Sequence, residues 1–147
     1  MFKNTVSYPN GWTGAWEQFF GYYGSGSDRT PGIWRYPAQR LIHWRYDPNN
    51  TGIDFGKNSS SQDFDLNTYY HAVVTKNGAN AVAYVNGVQV VATTVSNPKT
   101  AGNSIARFYY YYTADLLEIQ ICKIYNRALT PAEVLQNYNA TKSRYLL

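Results

Sequence analysis

Glutamate is scarce in this chain of 147 residues, occurring only at positions 17, 118 and 133, and cysteine occurs once, at Cys122. Glutamate is part of the usual material of surface helices, so its scarcity argues against a largely helical fold. A lone cysteine excludes an internal disulfide, and with it the small secreted scaffolds that bridges hold together. Charged residues make up only 15% of the chain, but apolar residues reach 44%, a balance that excludes intrinsic disorder. The opening MFKNTVSYPNGW carries no apolar run of the kind a signal peptide or membrane span needs, so neither secretion by that route nor membrane association is expected. No glycine-rich loop follows a strand in the manner of a phosphate cradle, which leaves nucleotide binding without support.

What the chain has in abundance is aromatic: 17% of residues, with 15 Tyr and 4 Trp. Tyr and Trp favour pleated strands, and the length suits one domain with a real core. The net charge of +4 tolerates a polyanionic partner without requiring one, so nucleic acid is not an expected ligand.

Turn residues punctuate the chain at short intervals. Trp16–Tyr23 is strand-like, and Ile33–Tyr46 alternates, with Pro37 dividing it into two strands or marking an edge. Ile53 and Phe55 fit one short strand. From Tyr69 to Val95 three β-branched or aromatic runs are joined at Lys76–Asn80 and at Asn86-Gly87, and Asn-Gly between alternating apolar residues signals a type I′ hairpin. This segment reads as a three-strand meander. Ile105–Tyr110 and Leu116–Tyr125 add two strands, flanking the run Tyr109, Tyr110, Tyr111, Tyr112. Near the end, Thr130 as N-cap, Pro131 at the first helical position and Glu133 at the third predict one short helix. Short strands with helix at one end only point to an antiparallel β-sandwich or jelly roll.

Two stretches carry a family resemblance. Tyr69–Val91, with an aromatic residue before His71, an apolar strand and the hairpin Tyr84-Val85-Asn86-Gly87, resembles the central part of laminin G-like domains in the concanavalin A-like lectin and glucanase superfamily. Ile124–Asn139, IYNRALTPAEVLQNYN, resembles the close of the same domains. The resemblance implies one domain over residues 1–147, an all-β sandwich with a short C-terminal helix. Such domains open with a strand that pairs beside the C-terminal one, and the residues before Trp16 do not form that pattern. An open edge is therefore expected along Leu116–Tyr125, to be covered by another chain or a second copy, with the Tyr109–Tyr112 run near the contact. Ile124 and Leu129 are expected to be buried.

The chemistry of individual residues narrows the function. A retaining glucanase needs two carboxylates on one strand face, whereas Asp115 and Glu118, three apart, project to opposite faces. His43 and His71 have no Ser-His-Asp or metal-ligand spacing around them, so no enzyme is expected. Asp63 and Asp65, two apart in a polar loop, are the weak calcium candidates, and no other cofactor is implied. The richest constellation is Trp34, Tyr36, Trp44 and Tyr46 interleaved with Arg35 and Arg45. Aromatic faces stack on sugar rings, and guanidinium groups pair with carboxylate, sulfate or phosphate. These six are the glycan candidates. The alternative is that Arg stems lie across rings while the tryptophans fill the core. The expected function is a non-catalytic carbohydrate-binding or adhesive module. The IYNRALT ending looks like that of phage and viral surface and fibre domains, and this implies a virion or surface setting. The alternative is a structural capsid-decoration or fibre subunit.

Overall fold

The computed structural model describes residues 1–4, 17–22, 32–36, 39–45, 52–95, 106–107 and 117–145. In chain order the strands are β1 (Phe2–Asn4), β2 (Glu17–Tyr22), β3 (Gly32–Arg35), β4 (Ile42–Arg45), β5 (Gly52–Phe55), β6 (Tyr69–Tyr70), β7 (Ala72–Asn77), β8 (Asn80–Val85), β9 (Val88–Thr94), β10 (Ala106–Arg107) and β11 (Leu117–Ile119), followed by helix α1 (Pro131–Lys142). Every ladder among them is antiparallel. A five-stranded sheet runs in the order β10-β2-β3-β4-β5, while β11-β1-β6 and β7-β8-β9 form two three-stranded ladders that His71 alone separates along the chain.

Local chemistry explains the best-defined parts. At the β8–β9 turn, Asn86 and Gly87 take φ of 50° and 81°, the left-handed region that these two residue types tolerate. The expected meander is β7-β8-β9, with Asn77 opposite Asn80 and Val85 opposite Val88. Helix α1 begins as its residues predict: Thr130 accepts from the Glu133 amide, and the Glu133 carboxylate accepts from the Thr130 amide at 2.8 Å. Arg127 braces that carboxylate at 2.6 Å.

The core lies between the sheets. Phe2 packs edge-on against Phe19 and Phe64 at 5.1 and 5.0 Å between ring centres, and Phe64 meets Tyr70 at 4.8 Å. Ile42, Trp44, Phe55, Ala81, Ala83 and Val85 complete one cluster with them. A second, smaller cluster of Tyr84, Leu129 and Val134 fastens α1 to the outer side of the meander.

Two expectations need correction. The strand held to be missing is present: β1 pairs with β11, Phe2 opposite Ile119 and Asn4 opposite Leu117, and with β6 on its other side. Phe2 and Asn4 turn inward, while Lys3 turns outward to Glu118 at 2.8 Å. Ile124, expected in the core, is 64% exposed, because no ladder extends along the chain beyond Ile119 in the described residues. Leu129 is buried as expected. The tyrosine run from Tyr109 to Tyr112, Tyr46 and Asp115 lie outside the described residues.

Candidate functional site

Residues directly opposite in an antiparallel pair share a face, and neighbours along a strand alternate. In the five-stranded sheet this rule divides the aromatic and basic candidates. Ile33 stands opposite Trp44, and Arg35 opposite Ile42, which in turn faces Phe55. Trp44, Ile42 and Phe55 belong to the core, so Arg35 shares the core-facing side and is 1% exposed. Strand parity thus turns Trp44 and Arg35 inward, away from the outer face.

The opposite face carries a different set. Gln18, Trp34, His43 and Asp54 form one row across β2, β3, β4 and β5, each opposite the next. Beside it runs a second row, Gly21, Gly32, Arg45 and Gly52. The irregularity in β2 between Gln18 and Phe20 keeps both Gln18 and Gly21 on this side. In the second row only Arg45 has a side chain, and side chains of the first row lie over two of the glycines. At these two a Cβ would enter space already taken. A Cβ on Gly52 would lie 2.3 Å from His43 Cε1 and 2.7 Å from the Trp44 carbonyl oxygen, and one on Gly21 would lie 2.2 Å from Gln18 Nε2.

At one end the row meets solvent. His43 Nδ1 and Asp54 Oδ1 lie 2.7 Å apart, with the Asp54 side chain 44% exposed. Further in, Gln18, Trp34 and Arg45 are 2–3% exposed, so a ligand reaches them only through a local opening. Chemically the face offers a flat apolar ring, a guanidinium, an amide, an imidazole and a carboxylate. Of the six candidates named from sequence, Trp34 and Arg45 are brought together here, and Tyr36 sits half-buried just beyond β3. Gln18, His43 and Asp54 were not among them. The signal was the alternation that sets His43 beside Arg45 on one side of β4, together with glycines inside otherwise strand-like runs.

Other acidic groups among the described residues are held by bases. The Glu118 carboxylate accepts from Lys3, from the Tyr69 hydroxyl and from the Gln120 amide, and these bonds, Lys3 foremost, hold it down at about 2. Asp65 accepts from Lys57 and from the Tyr70 hydroxyl, each at 2.6 Å, and Asp63 lies 3.4 Å from Arg40. A calcium ion on these two carboxylates would compete with those partners. Burial, helped by Asp65, pushes the Tyr70 phenol up to about 12.

A family model described as the concanavalin A-like lectin/glucanases superfamily matches residues 7–135. No curated protein sequence matches the chain. Among solved structures it is similar to the receptor-binding domain of botulinum neurotoxin type G, with a TM-score of 0.62 at 14% identity over 95% of this chain and 36% of that one. A second structure of that toxin's binding domain gives 0.63 at 15% identity, over 97% and 35%. Trypanosoma rangeli sialidase, in complex with sialic acid, gives 0.56 at 16% identity, over 96% of this chain and 22% of that one. The chain spans about a third of the toxin domain and about a fifth of the sialidase.

Proposed function

This chain belongs to the concanavalin A-like lectin/glucanase superfamily, and from that premise we propose that it is a non-catalytic carbohydrate-binding module reading sugar on the face of the five-stranded sheet turned away from the core. One observation carries the reading: the register gathers Trp34, His43, Asp54, Gln18 and Arg45 on that face over a row of glycines. Sugars present flat apolar ring faces edged by hydroxyls. An aromatic ring beside fixed donors and acceptors answers both. His43 and Asp54 are the first groups a glycan meets, with Trp34 and Arg45 behind them. Arg45 suits an acidic sugar, because a guanidinium pairs with a carboxylate in a bidentate fork. The fold neighbours add a weaker support, since one is named as a receptor-binding domain and the other is in complex with sialic acid. The setting we propose is a virion or cell surface.

The test is a glycan array at two salt concentrations with the native chain and Asp54→Asn. Losing a hydrogen bond to a charged group costs about 1.5–3 kcal/mol, or roughly 10- to 100-fold in affinity. Asp54 is exposed enough for the fold to survive the change. Unchanged melting with weakened binding supports the proposal. An array without signal, or undiminished binding by the variant, refutes it.

A further inference from the structure

Strand β9 closes one side of the meander, and among the described residues it pairs only with β8. Its sequence VQVVATT holds no charge and no proline, two of the features with which proteins blunt a sheet edge. A bulge, another such feature, is present, but it lies toward the turn, where the register shifts between Ala83 and Tyr84 of β8. From there on the pairing is regular: Val91 stands opposite Ala83, Ala92 opposite Val82, Thr93 opposite Ala81 and Thr94 opposite Asn80. The Val95 amide donates to the Ala79 carbonyl oxygen at 2.8 Å and continues the ladder by one residue.

The Val95 bond fixes the parity of this edge. Hydrogen-bonded positions alternate along an antiparallel ladder, so Val91, Thr93 and Val95 bond to β8, while the N–H and C=O groups of Ala92 and Thr94 point away from it. Such a row is a template for another strand. Residues directly opposite share a face. Ala81 and Ala83 belong to the core, which sets Val91 and Thr93 on the core side together with the buried Val95. Thr93 is nevertheless exposed, as are Ala92 and Thr94, so the edge is open and a core-side position stands uncovered at it. The run is also self-complementary. Laid antiparallel on a second copy about a two-fold axis at Thr93, it sets Thr93 opposite Thr93, Ala92 opposite Thr94 and Val91 opposite Val95. This register engages the outward backbone groups of both Ala92 and Thr94, uses all of residues 91–95 and leaves the bulge outside.

We propose that the edge of β9 is an interface with a second copy of this chain, the two β9 strands pairing antiparallel about a two-fold axis at Thr93, so that two meanders join in one continuous sheet. Main-chain bonds at Ala92 and Thr94 supply the affinity. Val91 and Val95 carry the apolar core side across the axis, and opposed threonines suit the centre of an antiparallel pair. No charge lies on β9 to repel its copy. The interface is independent of the proposed sugar face, which belongs to the five-stranded sheet, and its test uses no sugar.

The full chain is followed by sedimentation velocity over a range of concentrations, with residue-resolved hydrogen exchange on the same samples. The expected result is a monomer–dimer equilibrium in which amide exchange at Ala92 and Thr94 slows at least tenfold as the chain is concentrated, with little change at Val91 and Thr93, whose amides already bond to β8. Thr93→Lys sets like charges directly opposite across the axis and should weaken association at least tenfold. Thr93→Glu should do the same, and an equimolar mixture of the two variants should associate again. Thr93 is exposed, so both should fold. Thr93→Cys in a Cys122→Ser background should give a disulfide-linked dimer under mild oxidation, because Cα atoms at a non-hydrogen-bonded pair lie about 4.5 Å apart, within reach of a disulfide. Val88→Cys, outside the paired residues, should not. A chain that stays monomeric at every concentration, or a dimer that neither charged variant weakens, overturns the proposal. Slow exchange at Ala92 and Thr94 whatever the concentration overturns it in favour of cover by another part of the same chain. If the charged variants fail to fold, the exchange pattern of the native chain decides.

Discussion

The meander has two tight turns with a glycine at positive φ, Gly78 at 56° and Gly87 at 81°, but only the second lies under α1. A Cβ on Gly78 would meet nothing within 4 Å, whereas one on Gly87 would lie 2.8 Å from Leu135 Cδ1 and 3.3 Å from Tyr138 Cδ1. Alanine at either place takes on left-handed strain of about 1–2 kcal/mol. The loss of glycine's freedom in the unfolded chain offsets about 0.4–1 kcal/mol of that. Gly78→Ala should therefore destabilise by about 1 kcal/mol or less. Gly87→Ala adds crowding against a leucine that is 45% exposed and able to swing, which places the extra cost near the low end of the ~1–3 kcal/mol typical of overpacking. The expected total is about 2 kcal/mol. Urea unfolding resolves this: with a slope of about 1–3 kcal/mol/M, the midpoint of Gly87→Ala should fall about twice as far as that of Gly78→Ala. Adding Leu135→Ala should recover the difference, since the coupling belongs to that contact. Equal losses from the two alanines, or no recovery in the double variant, would show that α1 does not rest on the Asn86-Gly87 turn.

Two further predictions concern pH. Glu133 is held down at about 2 by Arg127 first and then by Thr130, so its contribution to stability is present above 4.5 and is lost as pH falls through about 2; Glu133→Gln, which retains the capping geometry, should flatten the acid limb of the melting profile in that window. His71 is lowered to about 4, mainly by burial, and folds neutral. Below 6.5 the unfolded chain takes up a proton that the folded one refuses, so stability should fall between 6.5 and about 4, and His71→Asn should remove that slope in a pH series of melting temperatures.

The parts of the fold legible in the sequence are those whose cause is local. Asn86-Gly87 needs positive φ whatever surrounds it, and Thr130, Pro131 and Glu133 start a helix by bonds spanning three residues. The β1 strand has no such signal. Three residues pair with a partner more than a hundred positions away, and one inward Phe2 beside Lys3 is too short a pattern to read. The faces of the candidate aromatics were illegible for a related reason. Trp34 and Trp44 both sit on alternating strands, and either could face outward until the register is known. Ile33 stands opposite Trp44, and that one-residue offset sends the tryptophans to opposite faces. Gly21, Gly32 and Gly52 lie far apart in the sequence, and nothing local marks them as one row. Aligned across four strands, they stand in one row with Arg45, where the side chains of Gln18 and His43 lie over Gly21 and Gly52.

The central claim, that sugar is read on the outer face of the five-stranded sheet, is tested most directly by NMR titration of the full chain with the strongest ligand from the glycan array. Binding there should move the indole N–H of Trp34 and the amides of His43, Arg45 and Asp54 together with one saturating dissociation constant, while the amides of β8 and α1 stay in place. Shifts confined to the meander or to α1, or no shifts with any glycan, would contradict it.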